Sequence, residues 1–171
     1  MANKNREQFV ENIFKIEPDM KVLYINNSLK NNWSQEKKIS DLNAEEKNQF
    51  NLRKQFKNEI ILDVEEAYRK EEIKEKLNSK KLSYTMWETG SRGFHISLIF
   101  KELSKLNLQL RNAIRKYIIN EFDTDLKLAK ESQWLALEWT PHFKTGIEKK
   151  LIDSVNYGEN LLNDDIINFC K

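Results

Sequence analysis

Glycine is scarce in this chain of 171 residues, which contains only four, and three of them lie in two short segments that also contain both histidines. The first segment is residues 89–95 (TGSRGFH), called here the Gly90 turn, and the second is residues 141–146 (PHFKTG), called the Lys144 turn. Glycine lets backbone N–H groups approach an anion closely, and arginine, histidine and lysine add charge-assisted donors. We therefore predict that both segments are phosphate-binding turns.

Two carboxylates follow an apolar run upstream of these turns. The run Ile60-Ile61-Leu62 is apolar enough for a central strand, and Asp63 and Glu65 follow it at alternate positions. Side chains two residues apart on a strand share one face, so two like charges would lie together there. Such a pair is costly unless a cation or hydrogen-bond donors compensate, and carboxylate oxygens suit Mg²⁺ or Mn²⁺. Taken alone, the two acids also fit an ordinary strand end that runs into solvent.

Composition sets wider limits on the function. The chain has 29 Lys and Arg residues against 27 Asp and Glu, a net charge of +2, which neither requires nor excludes a nucleic-acid partner. The single cysteine, Cys170, cannot form an internal disulfide or a cysteine-rich zinc site and fits a reducing cytoplasm. No apolar run approaches the roughly 18 residues of a membrane span, and no signal-peptide core is present. We expect a cytoplasmic protein with no membrane partner, folded as one domain over residues 1–171.

Hydrophobic periodicity predicts an α+β fold. In the strand expected at residues 94–100, alternation places His95 and Ser97 on one face and Phe94 and Ile96 on the other. The best-supported helix spans residues 104–121, where apolar side chains recur at intervals of three and four. Further strands are predicted at residues 20–25, 59–64, 82–87, 133–139 and 150–154, and further helices at residues 6–14, 42–56, 66–77 and 161–169.

Two common enzyme motifs do not fit these residues. Lys144-Thr145-Gly146 resembles only the end of a P-loop, because the glycines that should precede the lysine are absent. Ser91 does not lie on a Gly-x-Ser-x-Gly elbow, and a serine hydrolase would leave the paired acids without a role. A Walker site is therefore rejected, and a Ser-His-Asp hydrolase is poorly supported.

In their order and spacing, the three segments resemble the archaeo-eukaryotic primase superfamily, which includes the primase small subunits and the primase-polymerases. Residues 62–65 (LDVE) match the family's apolar strand ending in Asp-x-Asp or Asp-x-Glu. Residues 89–95 match its Ser-Gly-x-x-Gly-x-His strand entry, with Thr89 in place of the leading serine, and residues 142–146 match the His-x-Lys-Thr-Gly of the small subunits. The resemblance implies a minimal primase catalytic core, mainly an antiparallel sheet flanked by helices, with its motifs within about residues 58–155.

The resemblance also implies an activity: template-directed nucleotidyl transfer that makes RNA or DNA primers by a two-metal mechanism. Asp63, Glu65 and a third acid would hold two Mg²⁺ or Mn²⁺ ions and form the catalytic centre. The remaining motif residues would bind the incoming nucleoside triphosphate; they are Ser91, Arg92, His95, His142 and Lys144.

The third acid is the point at which this sequence departs from the family pattern. The small subunits place it after an apolar residue upstream of the Lys-Thr-Gly, at a spacing that points to Asp123, one residue out of register. Asp125 is a close competitor. Glu138 lies on a predicted strand, where several relatives place their third acid. We rank Asp123 first as the third catalytic residue and metal ligand.

A single-stranded DNA template and nucleoside triphosphates are the implied partners. Because the chain is short for this superfamily, a primase large subunit or a helicase is expected to help it start synthesis. Two other functions stay open: a non-catalytic nucleic-acid-binding subunit that keeps the primase fold, and a metal-dependent nuclease that uses Asp63 and Glu65. Candidates for template contact are Trp33, Arg53, Lys54, Trp87 and Trp139.

Overall fold

The computed structural model describes residues 3–25 and 35–171, so the candidate template contact Trp33 lies outside it. The helices are α1 (Lys4–Ile16), α2 (Ala44–Gln49), α3 (Lys70–Ser79), α4 (Leu108–Glu121) and α5 (Asp164–Cys170). The strands are β1 (Lys21–Leu23), β2 (Lys37–Lys38), β3 (Leu52–Arg53), β4 (Glu59–Val64), β5 (Tyr84–Glu88), β6 (Phe94–Ile99), β7 (Leu135–Ala136) and β8 (Lys150–Val155). Short 3₁₀ helices lie at Ile39–Asp41, Ala67–Arg69, Lys101–Lys105 and Leu126–Ala129.

These elements group into two compact units, and the chain passes between them repeatedly. The first unit consists of the described part of Met1–Phe56 together with Thr89–Ser91 and Trp134–Lys150. The second unit consists of Lys57–Glu88, Arg92–Gln133 and Leu151–Lys171.

The second unit is built on a four-stranded sheet in the order β4-β6-β5-β8, in which β6 runs antiparallel to both β4 and β5. Alternation along β6 places Phe94 and Ile96 in an apolar core that also receives the buried face of α4. On the opposite face of the sheet, the Ser97 hydroxyl donates to the buried carboxylate of Glu59 at 2.7 Å. The predicted division of β6 into an apolar and a polar face is therefore confirmed.

The first unit contains a second antiparallel sheet in the order β2-β1-β3-β7. Its apolar core gathers side chains from α1, β1 and the segment after α2, among them Ile13, Val22 and Phe50. Arg6 on α1 is also buried, and its guanidinium donates to the carbonyl oxygen of Phe50 at 2.8 Å. Such hydrogen bonds to backbone carbonyls offset the cost of burying the charge of Arg6.

The helix predicted over residues 42–56 and the strand predicted over residues 133–139 are both much shorter than expected. The helix predicted over residues 42–56 ends at Gln49, because Phe50 enters the core and the next residues form β3 between β1 and β7. Tertiary pairing here overrides a local helical preference. The strand predicted over residues 133–139 is reduced to β7, and Trp139 adopts a left-handed φ of 58° that a strand cannot continue through.

The α+β fold class is confirmed, with two antiparallel sheets flanked by helices. Within residues 3–25 and 35–171, no helix is long and apolar enough to cross a bilayer.

Candidate active site

Asp63 and Glu65 lie beside one small pocket of the second unit, at the end of β4. This acid pocket has a volume of about 160 Å³. It is lined by Asp63, Glu65, Glu66, Arg69, Asp123, Thr124 and Asp125. The structure thus brings Asp123, the acid ranked first from the sequence, into the same pocket as the two acids of β4.

A tight turn after α4 carries the third acid to this position. Asp123 has a left-handed φ of 50°, and its backbone N–H donates to the carbonyl of Asn120 at 3.1 Å. Helices often end with one residue in this conformation, which aspartate tolerates better than most residues other than glycine. Two residues later, the N–H of Asp125 donates to the backbone carbonyl of Asp63 at 3.2 Å. This bond fixes the turn against the end of β4.

The two aspartates of the turn are engaged differently. The Asp125 carboxylate accepts a hydrogen bond of 2.8 Å from the N–H of Lys127 and caps the 3₁₀ helix that follows. The Asp123 side chain is exposed, and its carboxylate makes no hydrogen bond or ion pair to any of the described residues. Asp123 is therefore better placed than Asp125 to accept a metal ion.

Glu138, the other alternative, is committed to a buried ion-pair network in the first unit. Its carboxylate oxygens lie 2.7 Å from Nε and Nη2 of Arg53 and 3.0 Å from Nζ of Lys149, and all three side chains are at most 1% exposed. Burial alone would raise the pKa of Glu138, but the charges of Arg53 and Lys149 overcome it and lower the pKa to about 2. We therefore leave Glu138 out of the metal ligands, and Arg53, proposed above as a template contact, is a structural residue instead.

His95 lies next to the first acid. The register of β4 and β6 places His95 directly opposite Asp63, and the His95 Nε2 lies 3.4 Å from Asp63 Oδ1. His95 is only 9% exposed, whereas its neighbours Ser91 and Arg92 are exposed. His95, one of the predicted triphosphate ligands, thus contacts the first acid of the proposed metal site.

Gly93 packs against the strand end that carries the acids. Its φ is 62°, and a Cβ added there would lie 1.8 Å from the carbonyl oxygen of Val64 and 2.8 Å from Cα of Glu65. Both the backbone conformation and the close approach require glycine. The second half of the Gly90 turn is therefore held on the backbone between Val64 and Glu65.

We predict that Gly93→Ala lowers the free energy of unfolding by about 1–3 kcal/mol more than Gly146→Ala does, because overpacking adds to the backbone strain. Gly146 is a matched control, since its φ is 71° but nothing lies within 4 Å of an added Cβ. Urea unfolding of both variants measures the difference. Equal losses of unfolding free energy in the two variants would show that the close approach at Gly93 does not contribute to the destabilisation.

The Lys144 turn meets the start of the Gly90 turn within the first unit. The N–H of His142 donates to the carbonyl of Ile147 at 2.9 Å, and the N–H of Gly146 donates back to His142 at 2.8 Å. The Thr145 hydroxyl donates to the carbonyl of Gly90, and a Cβ at Gly90 would lie 2.2 Å from the carbonyl oxygen of Ile147. The two glycine segments identified in the sequence thus contact each other at Gly90.

His142 is arranged as a neutral hydrogen-bond donor. Burial, together with the nearby charge of Lys144, lowers its pKa. Its Nδ1 accepts a hydrogen bond of 3.2 Å from the backbone N–H of Lys144, so the neutral ring carries its proton on Nε2. The Lys144 side chain itself is exposed. The turn therefore offers an imidazole N–H and an ammonium group, both suited to phosphate oxygens.

The acid pocket has the donor chemistry of a divalent metal site. Asp63, Glu65 and Asp123 line it, and Mg²⁺ or Mn²⁺ is usually held by a few carboxylates together with substrate phosphates. Across the described ranges, no three His, Cys, Asp or Glu side chains already stand as a metal-ligand group. The acids would have to close around an ion when it binds.

Comparison with known proteins gives a fold but not a family. No protein-family model matches the chain, and no curated protein sequence matches it either. Among solved structures, its fold is similar to that in the crystal structure of primase RepB′, with a TM-score of 0.63 and 11% sequence identity. The chain has a primase-like fold. The similarity covers 96% of this chain and 62% of that primase, so the chain spans less than two thirds of its length.

Arg69, which lines the acid pocket, was not identified from the sequence. Its guanidinium Nη1 donates to the carbonyl of Asp123 at 2.6 Å and its Nη2 to that of Phe122 at 3.0 Å. Arg69 lies in a highly charged stretch, residues 66–77, in which a single basic residue is not distinguished from a solvated helix face. No motif in the sequence could have identified it.

Proposed function

We propose that this protein is a template-directed nucleotidyltransferase of the archaeo-eukaryotic primase superfamily, which synthesises RNA or DNA primers. The observation that carries the proposal is the acid pocket, where Asp123 joins Asp63 and Glu65. The matching motifs and the primase-like fold support it. A cluster of acids beside a glycine turn is an arrangement suited to phosphoryl transfer, which depends on positioning and on charge stabilisation.

Asp63, Glu65 and Asp123 are the residues that would hold Mg²⁺ or Mn²⁺. Two such ions, if bound, would supply activation of the attacking 3′-hydroxyl and neutralisation of charge on the nucleotide phosphates. The rigid pairing of β4 with β6 keeps Asp63 in place, while Asp123 comes from a turn bonded to the Asp63 backbone. The chain's own contribution is therefore to place acidic residues from two separate segments along one pocket.

From the family resemblance, we propose that residues of both glycine turns bind the triphosphate. Ser91 and Arg92 are exposed on the Gly90 turn, and His95 lies beside Asp63. His142 and Lys144 supply an imidazole N–H and an ammonium group from the Lys144 turn. Arginine and protonated nitrogen donors are favoured ligands of phosphate oxygens.

We expect Arg92→Ala and His95→Ala to raise the KM for nucleotide by about 10-fold to 100-fold, the loss of one charge-assisted hydrogen bond. Binding of single-stranded DNA, measured by filter binding, should stay at the wild-type level. Lys116→Ala, on the exposed face of α4, controls for loss of one positive charge. Weaker DNA binding with an unchanged KM would instead assign both residues to the template.

A single-stranded template and a partner protein complete the proposal. Lys54 lies 3.6 Å from the ring centroid of Trp134, and this cation–aromatic pair at the surface of the first unit is a candidate for backbone and base contacts. We place the protein in the cytoplasm, where template and nucleotides are found, with a primase large subunit or a helicase as its partner.

The experiment that tests this function combines the protein with a single-stranded DNA template, Mn²⁺ and labelled ribo- and deoxyribonucleotides. Growth of a labelled polymer supports the proposal. Shortening of the template would assign the acid pocket to a nuclease. If the protein binds single-stranded DNA but forms neither product, the result would favour a non-catalytic subunit with a primase-like fold.

A further inference from the structure

Arg69 joins the segment that follows the first two acids to the turn that carries the third. It ends the 3₁₀ helix Ala67–Arg69, just after Glu65, and its side chain is only 13% exposed. From there the guanidinium donates two hydrogen bonds, to the carbonyls of Phe122 and Asp123. Nε and Nη2 of Arg69 also donate to the Glu72 carboxylate, at 3.4 and 3.3 Å.

These two bonds fall on the strained part of the turn. The last carbonyls of a helix have no partner within the helix, and Phe122 is the residue that caps α4. Asp123 holds a left-handed φ of 50°, a conformation that costs aspartate less than most residues but more than glycine. Arg69 therefore satisfies the carbonyls of Phe122 and Asp123, and it makes no hydrogen bond to the Asp123 carboxylate, whose charge acts on it only from a distance.

We propose that Arg69 is a positioning residue, which holds Asp123 in the acid pocket and thereby raises the affinity of the pocket for a divalent metal ion. The inference rests on the proposed function, because it assumes that Asp123 is the third metal ligand. It goes further in assigning a role to a residue that no motif contains. A guanidinium suits this task because its planar fork reaches two adjacent carbonyl oxygens at once, which a lysine ammonium does not.

The direction in which loss of Arg69 changes the Kd for Mn²⁺ distinguishes a positioning role from simple charge neutralisation. A cation that only offsets the acids competes with the metal, so its removal would tighten metal binding. A cation that positions Asp123 has the opposite effect, because its loss lets the turn relax away from the site. We expect Arg69→Gln to raise the Kd for Mn²⁺ by about 5-fold to 50-fold, comparable to loss of a residue that orients a metal ligand.

The measurement is direct Mn²⁺ binding to the full chain without nucleotide, from the electron paramagnetic resonance signal of free Mn²⁺. Arg69→Lys keeps the charge without the fork and should also weaken binding. Lys76→Gln is a matched control, because Lys76 donates to the carbonyl of Glu121 at the same helix end and lies 5.1 Å from the Phe122 ring, without bonding Asp123. Its Kd should equal that of the wild type.

A double-mutant cycle tests whether Arg69 acts through Asp123. Asp123→Asn should weaken Mn²⁺ binding, and adding Arg69→Gln to it should produce no further loss. An unchanged or lower Kd in Arg69→Gln, with the near-ultraviolet circular dichroism of the wild type, overturns the inference alone. If Asp123→Asn itself leaves the Kd unchanged, the third-ligand assignment fails instead. Should Arg69→Gln not fold, Arg69→Lys decides, since a wild-type Kd there contradicts the role of the fork.

Discussion

Asp63→Ala is expected to lower the rate of primer synthesis by at least about 100-fold, a loss typical of removing one group that stabilises transition-state charge. Asp63 lies at the end of β4 beside His95 and outside the apolar core, so the fold should persist. Removing one of several like charges from the acid pocket should leave the melting temperature of the metal-free protein unchanged or raise it.

Single-turnover extension of a labelled primer measures this loss, and thermal melting without metal checks the fold. Glu66→Gln is the matched control, because Glu66 also lines the acid pocket and its removal takes one charge from the same place. Its rate should stay within a few-fold of the wild type. Equal losses in Asp63→Ala and Glu66→Gln would mean that the pocket contributes only diffuse negative charge, and that the ligand assignment is wrong.

Glu138→Gln is expected to destabilise the protein by about 3–5 kcal/mol, the usual cost of breaking a buried ion pair by removing one partner. The change leaves Arg53 and Lys149 as two buried cations that face a neutral amide. Guanidinium chloride unfolding measures the loss. Glu159→Gln, in an ion pair with Lys101 whose partners are both more than 60% exposed, is the control and should cost at most about 1 kcal/mol.

The ion pairs of Glu138 also predict that the free energy of unfolding depends on pH in the acid range. The pKa of Glu138 is about 2 in the folded protein against an ordinary value of 4.5, so the carboxylate stabilises the fold above about pH 4.5. That contribution, about 3 kcal/mol, is lost as the pH falls from about 4.5 towards 2. In Glu138→Gln, the unfolding free energy should fall less steeply over this range. An unchanged slope would show that other groups account for the acid sensitivity.

The strands that carry the motifs could be predicted from the sequence because their signals are local. The apolar run before Asp63 and the alternation from Phe94 onwards each specify a strand with a defined face, and the structure pairs them as β4 and β6. The Gly90 turn between β5 and β6 was also predictable, since glycine marks the positions where the backbone needs a positive φ.

The buried charged residues were not predictable, because their contacts join separate segments of the chain and leave no local signal. Arg53 is distant in sequence from Glu138 and Lys149, and each of the three resembles a surface charge in its own segment. Only the tertiary pairing of β3 with β7 brings Arg53 near the segment that carries Glu138. The contact of Arg69 with the Asp123 turn could not be predicted for the same reason, because a hydropathy pattern treats every charged residue as exposed to solvent.

The third acid could be predicted only in part from the sequence. The family spacing pointed to the neighbourhood of Asp123 but left Asp125 and Glu138 open, because spacing alone does not show which carboxylate is already used. The structure gives Asp125 a capping bond and Glu138 two buried cations, and it places Asp123 in the acid pocket. Its assignment as a metal ligand stays a prediction, which the Mn²⁺ binding of Asp123→Asn tests.

The most direct test of template-directed synthesis is nucleotide incorporation on two single-stranded homopolymers in the presence of Mn²⁺. On poly(dT) the protein is expected to incorporate labelled adenine nucleotides and not guanine nucleotides, on poly(dC) the reverse, and with chelator neither. Equal incorporation of each nucleotide on both templates would contradict template direction. No incorporation by folded protein that binds both Mn²⁺ and single-stranded DNA would contradict the assignment as a polymerase.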